Sequence, residues 1–290
     1  MTTVGVIGLG DIGRGVADAV GRAGLELGVC DLSAEVTAFF APTAHVAATP
    51  AALGARSEVV VVAVVDDRQV LAVLDGADGA LGAMTPGSTV VIVSTVSPGT
   101  IASVAEKASV RGVDVVDCGV SGGPAAAASG SLVAMVGGEA EVMARVRPVL
   151  DTFTSLVVHM GPLGAGLKAK LARNLVQYGS WLAAYEAQVL AEAAGIELAK
   201  LAEVIRESDK LIGGASRLMF RDTVAPMPLD THPGIVDAMA AGALLAHKDL
   251  RAAIELGRDL DVELPLAVMT DARCDAVFGL EGRDVARGPS

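Results

Sequence analysis

Lys170, Asn174 and Tyr178 stand at i, i+4 and i+8 in a run of helix-forming residues, so they share one face of a helix. A lysine amine beside a substrate hydroxyl can take or give its proton during hydride transfer. For that its pKa must be lowered by burial or by a neighbouring charge. Lys168 points roughly 160° away from Lys170 around the helix, so the spacing selects Lys170 over its neighbour. Asn174 would orient the amine or the substrate through its amide. A solvated helix lysine is the competing reading.

A second group opens the chain. The apolar run Val4–Ile7 leads into Gly8-Leu9-Gly10-Asp11-Ile12-Gly13 and then a helix-like stretch, Gly13–Ala23. A dinucleotide needs a glycine for the tight turn (Gly8), one where backbone meets pyrophosphate (Gly10) and one for helix–strand contact (Gly13). Asp11 is unusual inside such a loop, because a carboxylate repels pyrophosphate, and it is expected to face solvent. Asp31 closes the next apolar run, Leu27–Cys30, 18 residues after Gly13, where an acid can meet the adenosine ribose hydroxyls. Its charge would repel a 2′-phosphate, and Leu32-Ser33-Ala34 supply no cation, so NAD is expected over NADP. The nearest basic residues in sequence are Arg22 and Arg56. A third group, Ser121-Gly122-Gly123, offers a hydroxyl and close backbone amides to a small carboxylate, or else is an ordinary glycine turn.

Seven short apolar runs in the first ~160 residues must position these groups: Val4–Ile7, Leu27–Cys30, Val59–Val65, Thr89–Val93, Val113–Val116, Leu132–Val136 and Leu156–Val158. Between them lie helix-like patterns such as Asp67–Leu74, Gly99–Ala108 and Glu139–Leu150. This alternation predicts an α/β fold, a Rossmann-like doubly wound sheet. From Leu167 to Ala194 only Gly179 interrupts the helix formers, and Gly195 stops them. About 28 residues make a helix of ~42 Å, long enough to join two domains. Helices are then expected at Leu198–Glu207, around Ile235–Leu245, at Lys248–Leu260 and at Leu266–Phe278. The stretch 222–234 reads as a loop and Gly282–Ser290 as a frayed tail. The domains are thus 1–163, dinucleotide-binding, and 164–290, all-helical.

Composition narrows the function. The chain of 290 residues carries a net charge of −12, which argues against a phosphate-backbone partner, so no nucleic acid is expected. Mean hydropathy is +0.54, yet no apolar run approaches the ~20 residues of a membrane helix. The N-terminus lacks a basic segment ahead of an apolar one, so no signal peptide is read there and a cytoplasmic location is expected. Cys30, Cys118 and Cys274 are far apart and read as small buried apolar groups. The four histidines lack metal-ligand spacing, so no metal is expected.

Several motifs carry a family resemblance. Asp117-Cys118-Gly119-Val120-Ser121-Gly122-Gly123, running on to Gly130-Ser131-Leu132 and Met135-Val136-Gly137-Gly138, resembles the substrate-binding signature of the β-hydroxyacid dehydrogenases. Gly161-x-x-Gly164-x-Gly166-x-x-x-Lys170-x-x-x-Asn174 is similar to their catalytic motif, Lys248-Asp249-Leu250 to their C-terminal cofactor motif, and Ser94-Thr95 to the nicotinamide-side loop. The motifs follow in the family's order from residue 4 to about 260. The resemblance implies an NAD-dependent oxidoreductase acting on a small hydroxy acid such as 3-hydroxyisobutyrate. It further implies cofactor contacts from Val64, Thr95 and Lys248 and a homo-oligomer, a homodimer or larger, built through the helical domain. Lys248 with Asp249 could equally be a surface pair. Tyr178 is expected on the substrate side, and Glu186 in packing or subunit contacts. Two departures bear on the substrate: Arg173 stands where the family often has a second Asn, and the segment from Pro233 to Lys248 is longer than usual. An imine reductase of the same architecture is one rival, against which Lys170 counts. A non-catalytic cofactor-stabilised assembly module is the other.

Overall fold

The computed structural model describes residues 2–283 other than 220 and 222. In chain order the first part holds β1 (Thr3–Ile7), α1 (Asp11–Arg22), β2 (Glu26–Cys30), α2 (Ala34–Phe40), β3 (His45–Val46), α3 (Pro50–Gly54), β4 (Val59–Val62) and α4 (Asp67–Asp75). It continues with β5 (Thr89–Ile92), α5 (Pro98–Ser109), β6 (Asp114–Ser121), α6 (Gly123–Ser129), β7 (Leu132–Gly137), α7 (Ala140–Phe153) and β8 (Thr154–Gly161). The remaining helices are α8 (Ala165–Ala193), α9 (Leu198–Ile212), α10 (Pro233–Asp259) and α11 (Pro265–Val277).

The eight strands form one sheet in the order β3-β2-β1-β4-β5-β6-β7-β8. The first six are parallel, and the order reverses between β1 and β4, the crevice where doubly wound sheets take ligands. Valine runs suit such a sheet because both its faces are buried. Val61 packs with α1 and α7 residues on one face, whereas Val60 and Val62 pack with α4 and α5 residues on the other. Helix starts are fixed locally: the side chains of Ser33, Thr49, Asp66 and Ser97 accept backbone N–H groups at the starts of α2, α3, α4 and α5.

The predicted alternation is present, with four differences. β3, α2, α3 and α6 are too short to give a periodic signal. β6 and β7 pair antiparallel because the seven-residue α6 between them is too short for a parallel crossover. The run Val59–Val65 leaves the sheet after Val62, where the Val65 N–H turns to the Gln69 side chain at 3.0 Å. The helices expected at Ile235–Leu245 and Lys248–Leu260 are one helix, α10. Nothing breaks it: His247 is held by Asp271 of α11 at 2.6 Å, and Gly242 makes room for the Phe278 ring. Lys248 and Asp249 therefore lie within a helix and do not begin one. The expected tail falls almost wholly outside the described residues.

The chain divides into two compact units, Met1–Arg173 and Asn174–Ser290, and the division falls inside α8. In the second unit α10 and α11 pack around Met227, Ala243, Cys274 and Leu280. Glu186 of α8 is 7% exposed, and its carboxylate accepts the Leu266 and Ala267 N–H groups at 2.7 and 3.2 Å, capping α11. Among the described residues no helix is long and apolar enough to cross a membrane.

Candidate active site

The three fingerprint glycines are needed for three separate reasons. Gly8 has φ +87°, and a Cβ there would meet the Ala63 carbonyl at 2.7 Å. A Cβ on Gly13 would lie 1.8 Å from the Gly8 oxygen, so loop and helix touch there. A Cβ on Gly10 would meet nothing within 4 Å: the space above it is open, at the N-terminus of α1. That open cradle of backbone amides fits a pyrophosphate. Asp31 lies at the end of β2, and its carboxylate accepts the Leu9 N–H at 2.6 Å and the Ser33 N–H at 2.8 Å. It therefore also ties the glycine loop to the β2 end. Asp11 is exposed, as expected. Arg14 stacks over the Phe39 ring at 4.3 Å, a cation against α2 that distance along the chain from Asp31 does not reveal.

A pocket of the first unit opens at this crevice. Gly10, Asp11, Ile12, Val64, Thr95, Gly123 and Lys170 line it, together with Ala63, Val65, Val93, Ser94 and Val120. Gly8, Leu9, Gly13, Asp31, Ser121 and Gly122 are not among its walls. Ser121 is 8% exposed at the end of β6, and Gly122, with φ +126°, turns the chain into α6. The two loops beyond β4 and β5 are joined by Asp67, which in the sequence is only the start of a helix-like run. Its Oδ1 accepts the Thr100 hydroxyl at 2.5 Å, the Ser97 hydroxyl at 2.7 Å and the Ser97 N–H at 2.8 Å.

These bonds, Thr100 first and then Ser97, hold the Asp67 carboxyl at about 2, against an ordinary 3.8. A carboxylate with a depressed pKa contributes stability above its unfolded pKa and loses it as pH falls through the folded one. The stability difference between the wild type and Asp67→Asn is therefore expected to be full above pH ~4 and to vanish towards pH ~2. Denaturant unfolding at a series of pH values measures it; a pH-independent difference contradicts this assignment.

Lys170 owes its position to close backbone approaches. Asp117 of β6 is 1% exposed, and its two carboxylate oxygens accept the Gly164 and Leu167 N–H groups, both at 2.6 Å, at the start of α8. A Cβ on Gly166 would lie 2.3 Å from the Met135 carbonyl, and one on Gly137 2.7 Å from the Gly166 nitrogen, so the first turn rests directly on β6 and β7. One turn on, a Cβ on Gly119 would lie 2.6 Å from the Lys170 Cβ. The lysine stem is seated on bare strand backbone. Burial first, and the Arg173 charge second, pull the Lys170 ammonium below the ordinary lysine pKa of 10.5. Lys168, by contrast, is exposed.

Asn174 and Tyr178 follow Lys170 by one and two turns along α8 and belong to the second unit. Tyr178 is 56% exposed, with its ring 5.2 Å from that of Trp181. Lys248 is exposed on α10, its ammonium 3.2 Å from the Asp249 carboxylate.

Residues 3–161 match the family described as the NAD binding domain of 6-phosphogluconate dehydrogenase, and residues 164–284 that described as NAD-binding of NADP-dependent 3-hydroxyisobutyrate dehydrogenase. The chain belongs to the β-hydroxyacid dehydrogenase family. This dehydrogenase is 38% identical to an uncharacterized oxidoreductase of Mycobacterium tuberculosis over 97% of the chain and 95% of that protein. It is 40% identical to the L-threonate dehydrogenase of Cupriavidus necator over 71% of the chain and 70% of that enzyme. The crystal structure of an oxidoreductase from Mycobacterium avium superposes with a TM-score of 0.89 at 35% identity, covering 97% of this chain and 99% of that one. The present chain is an NAD-binding oxidoreductase of the kind that acts on hydroxyl groups.

Proposed function

We propose that the chain oxidises a small β-hydroxy acid, or reduces the corresponding aldehyde, with Lys170 as general acid/base and NAD as cofactor. The observation that carries this is the seat of Lys170: a lysine with a depressed pKa lines the same pocket as Gly10, Ile12 and Thr95. Bound NAD supplies the hydride acceptor. Gly8–Gly13 and the amides of α1 would hold its pyrophosphate, Asp31 its adenosine ribose, and Val64, Thr95 and Lys248 would lie along the rest of it. The neutral Lys170 amine takes the substrate hydroxyl proton at Nζ as the carbinol carbon is oxidised, and returns it in the reverse direction. Asn174 orients the amine or the hydroxyl. Ser121 and the Gly122–Gly123 backbone hold the carboxylate, and Tyr178 bounds the substrate side.

Three buried thiols with no disulfide support a reducing, cytoplasmic compartment. The exposed apolar side chains of α8 (Leu175, Trp181, Leu182 and Tyr185 among them) support a homo-oligomer built through the helical unit. Assaying NADH formation across a panel of hydroxy acids and amines tests the reaction class. Turnover with hydroxy acids is expected, and turnover with amines alone would replace this reading by an imine reductase.

Cofactor choice follows from Asp31. A carboxylate there accepts the 2′- and 3′-hydroxyls and repels a 2′-phosphate, so NAD is expected to be preferred over NADP by at least about tenfold in kcat/KM, or roughly 1.4 kcal/mol. Asp31→Asn with Leu32→Arg is expected to narrow or reverse that ratio. Equal rates with NADP in the unmodified protein would remove Asp31 from this role.

A further inference from the structure

Two loops contribute to the pocket wall: Ala63, Val64 and Val65 beyond β4, and Val93, Ser94 and Thr95 beyond β5. The sheet holds them together only at its rim. The Val93 and Ser94 N–H groups donate to the Val62 carbonyl at 2.9 and 3.2 Å, and the β4–β5 pairing goes no further. Past that point, among the described residues, the hydrogen bonds that join the two segments are those of Asp67 with Ser97 and Thr100. Asp67 stands two residues after Val65, and Ser97 two residues after Thr95.

Neither helix needs Asp67 in order to start. Asp66 caps α4, its carboxylate accepting the Gln69 N–H at 2.8 Å, and Ser97 caps α5, its hydroxyl accepting the Thr100 N–H at 3.3 Å. Nor does the packing of the two helices depend on it. Val70 and Leu74 of α4 share a core with Ile101 and Val104 of α5, and at the far end Asp75 pairs with Lys107 and Arg111. What Asp67 adds is a tie at the pocket end.

We propose that Asp67 is a positioning residue for the cofactor: through Ser97 and Thr100 it holds the Val64–Val65 and Ser94–Thr95 loops at the spacing that NAD spans. This inference rests on the proposed function, which lays NAD along Val64 and Thr95. An ionised carboxylate suits the task, because a single oxygen takes two hydroxyls and an amide, and hydrogen bonds to a charged acceptor are the stronger kind. With the tie cut, the two loops relax separately, and NAD must order the wall as it binds. Affinity falls by the cost of that ordering.

The test reads NADH binding by fluorescence titration, independently of turnover. Asp67→Ala is expected to raise the Kd of NADH at least about tenfold. In turnover it is expected to raise the KM for NAD and largely to retain kcat at saturating NAD, because the seat of Lys170 on Gly119 is untouched. Thr100→Val removes one donor and keeps the Ser97 cap. It is expected to act in the same direction by less, and to change the Kd no further when added to Asp67→Ala. Lys107→Gln weakens the tie at the far end of the same two helices and is expected to leave the Kd unchanged. If Asp67→Ala does not fold, Thr100→Val against Lys107→Gln carries the comparison. A wild-type Kd in the folded Asp67 and Thr100 variants, or an equal rise in Lys107→Gln, overturns the inference and leaves the proposed function standing. If the unmodified protein does not bind NADH, the cofactor of the proposed function fails and this inference falls with it.

Discussion

Lys170→Ala is expected to lose ~10²–10⁴-fold in kcat, the usual worth of a positioned general acid/base, while NAD still binds. The cofactor cradle is built from β1, α1 and β2, none of which the substitution touches. Lys168→Ala is expected to change turnover little, because that side chain is exposed while Lys170 rests against Gly119. Steady-state kinetics with cofactor titration checks both. Equal losses in the two variants would contradict the facing argument.

The second large effect belongs to Asp117. Its buried carboxylate accepts two helix N–H groups, and an amide at that position can accept with only one oxygen. Asp117→Asn is therefore expected to leave a buried N–H unpaired and to cost about 1–3 kcal/mol of unfolding free energy. Because the bonds anchor the first turn of α8, the same variant is expected to lower kcat at saturating NAD. Denaturant unfolding together with kcat measures the two effects. A variant of wild-type stability would show that the anchoring of α8 lies elsewhere, for example in the glycine contacts with β7.

Much of this was legible in the sequence because it is written locally. The valine runs announce a sheet buried on both faces, and the GxGxxG spacing with Asp31 places a phosphate loop and a ribose acid at adjacent strand ends. Lys170 was separable from Lys168 by helix geometry alone. The remainder depends on contacts between distant segments. Asp117 reads as one acid in a strand motif, and only the fold shows it accepting amides some fifty residues later. Gly119, Gly137 and Gly166 stand in the sequence only as motif glycines, and the fold shows that they let a helix lie on bare strands. Asp67 reads as a helix start, yet it joins two loops about thirty residues apart. The sequence divides the continuous α10 in two because composition changes from apolar to charged at Lys248, a change that alters the exposed face of a helix without ending it.

The claim at the centre is that Lys170 itself carries the substrate proton, and the pH dependence of kcat/KM for hydroxy-acid oxidation addresses it most directly. In the wild type the rate is expected to rise with pH through an inflection below 10.5, as the amine loses its proton. In Lys170→Ala that inflection is expected to be absent, with the residual rate rising steadily with hydroxide. An inflection at the same pH in both proteins would show that another group takes the proton, and would contradict the account.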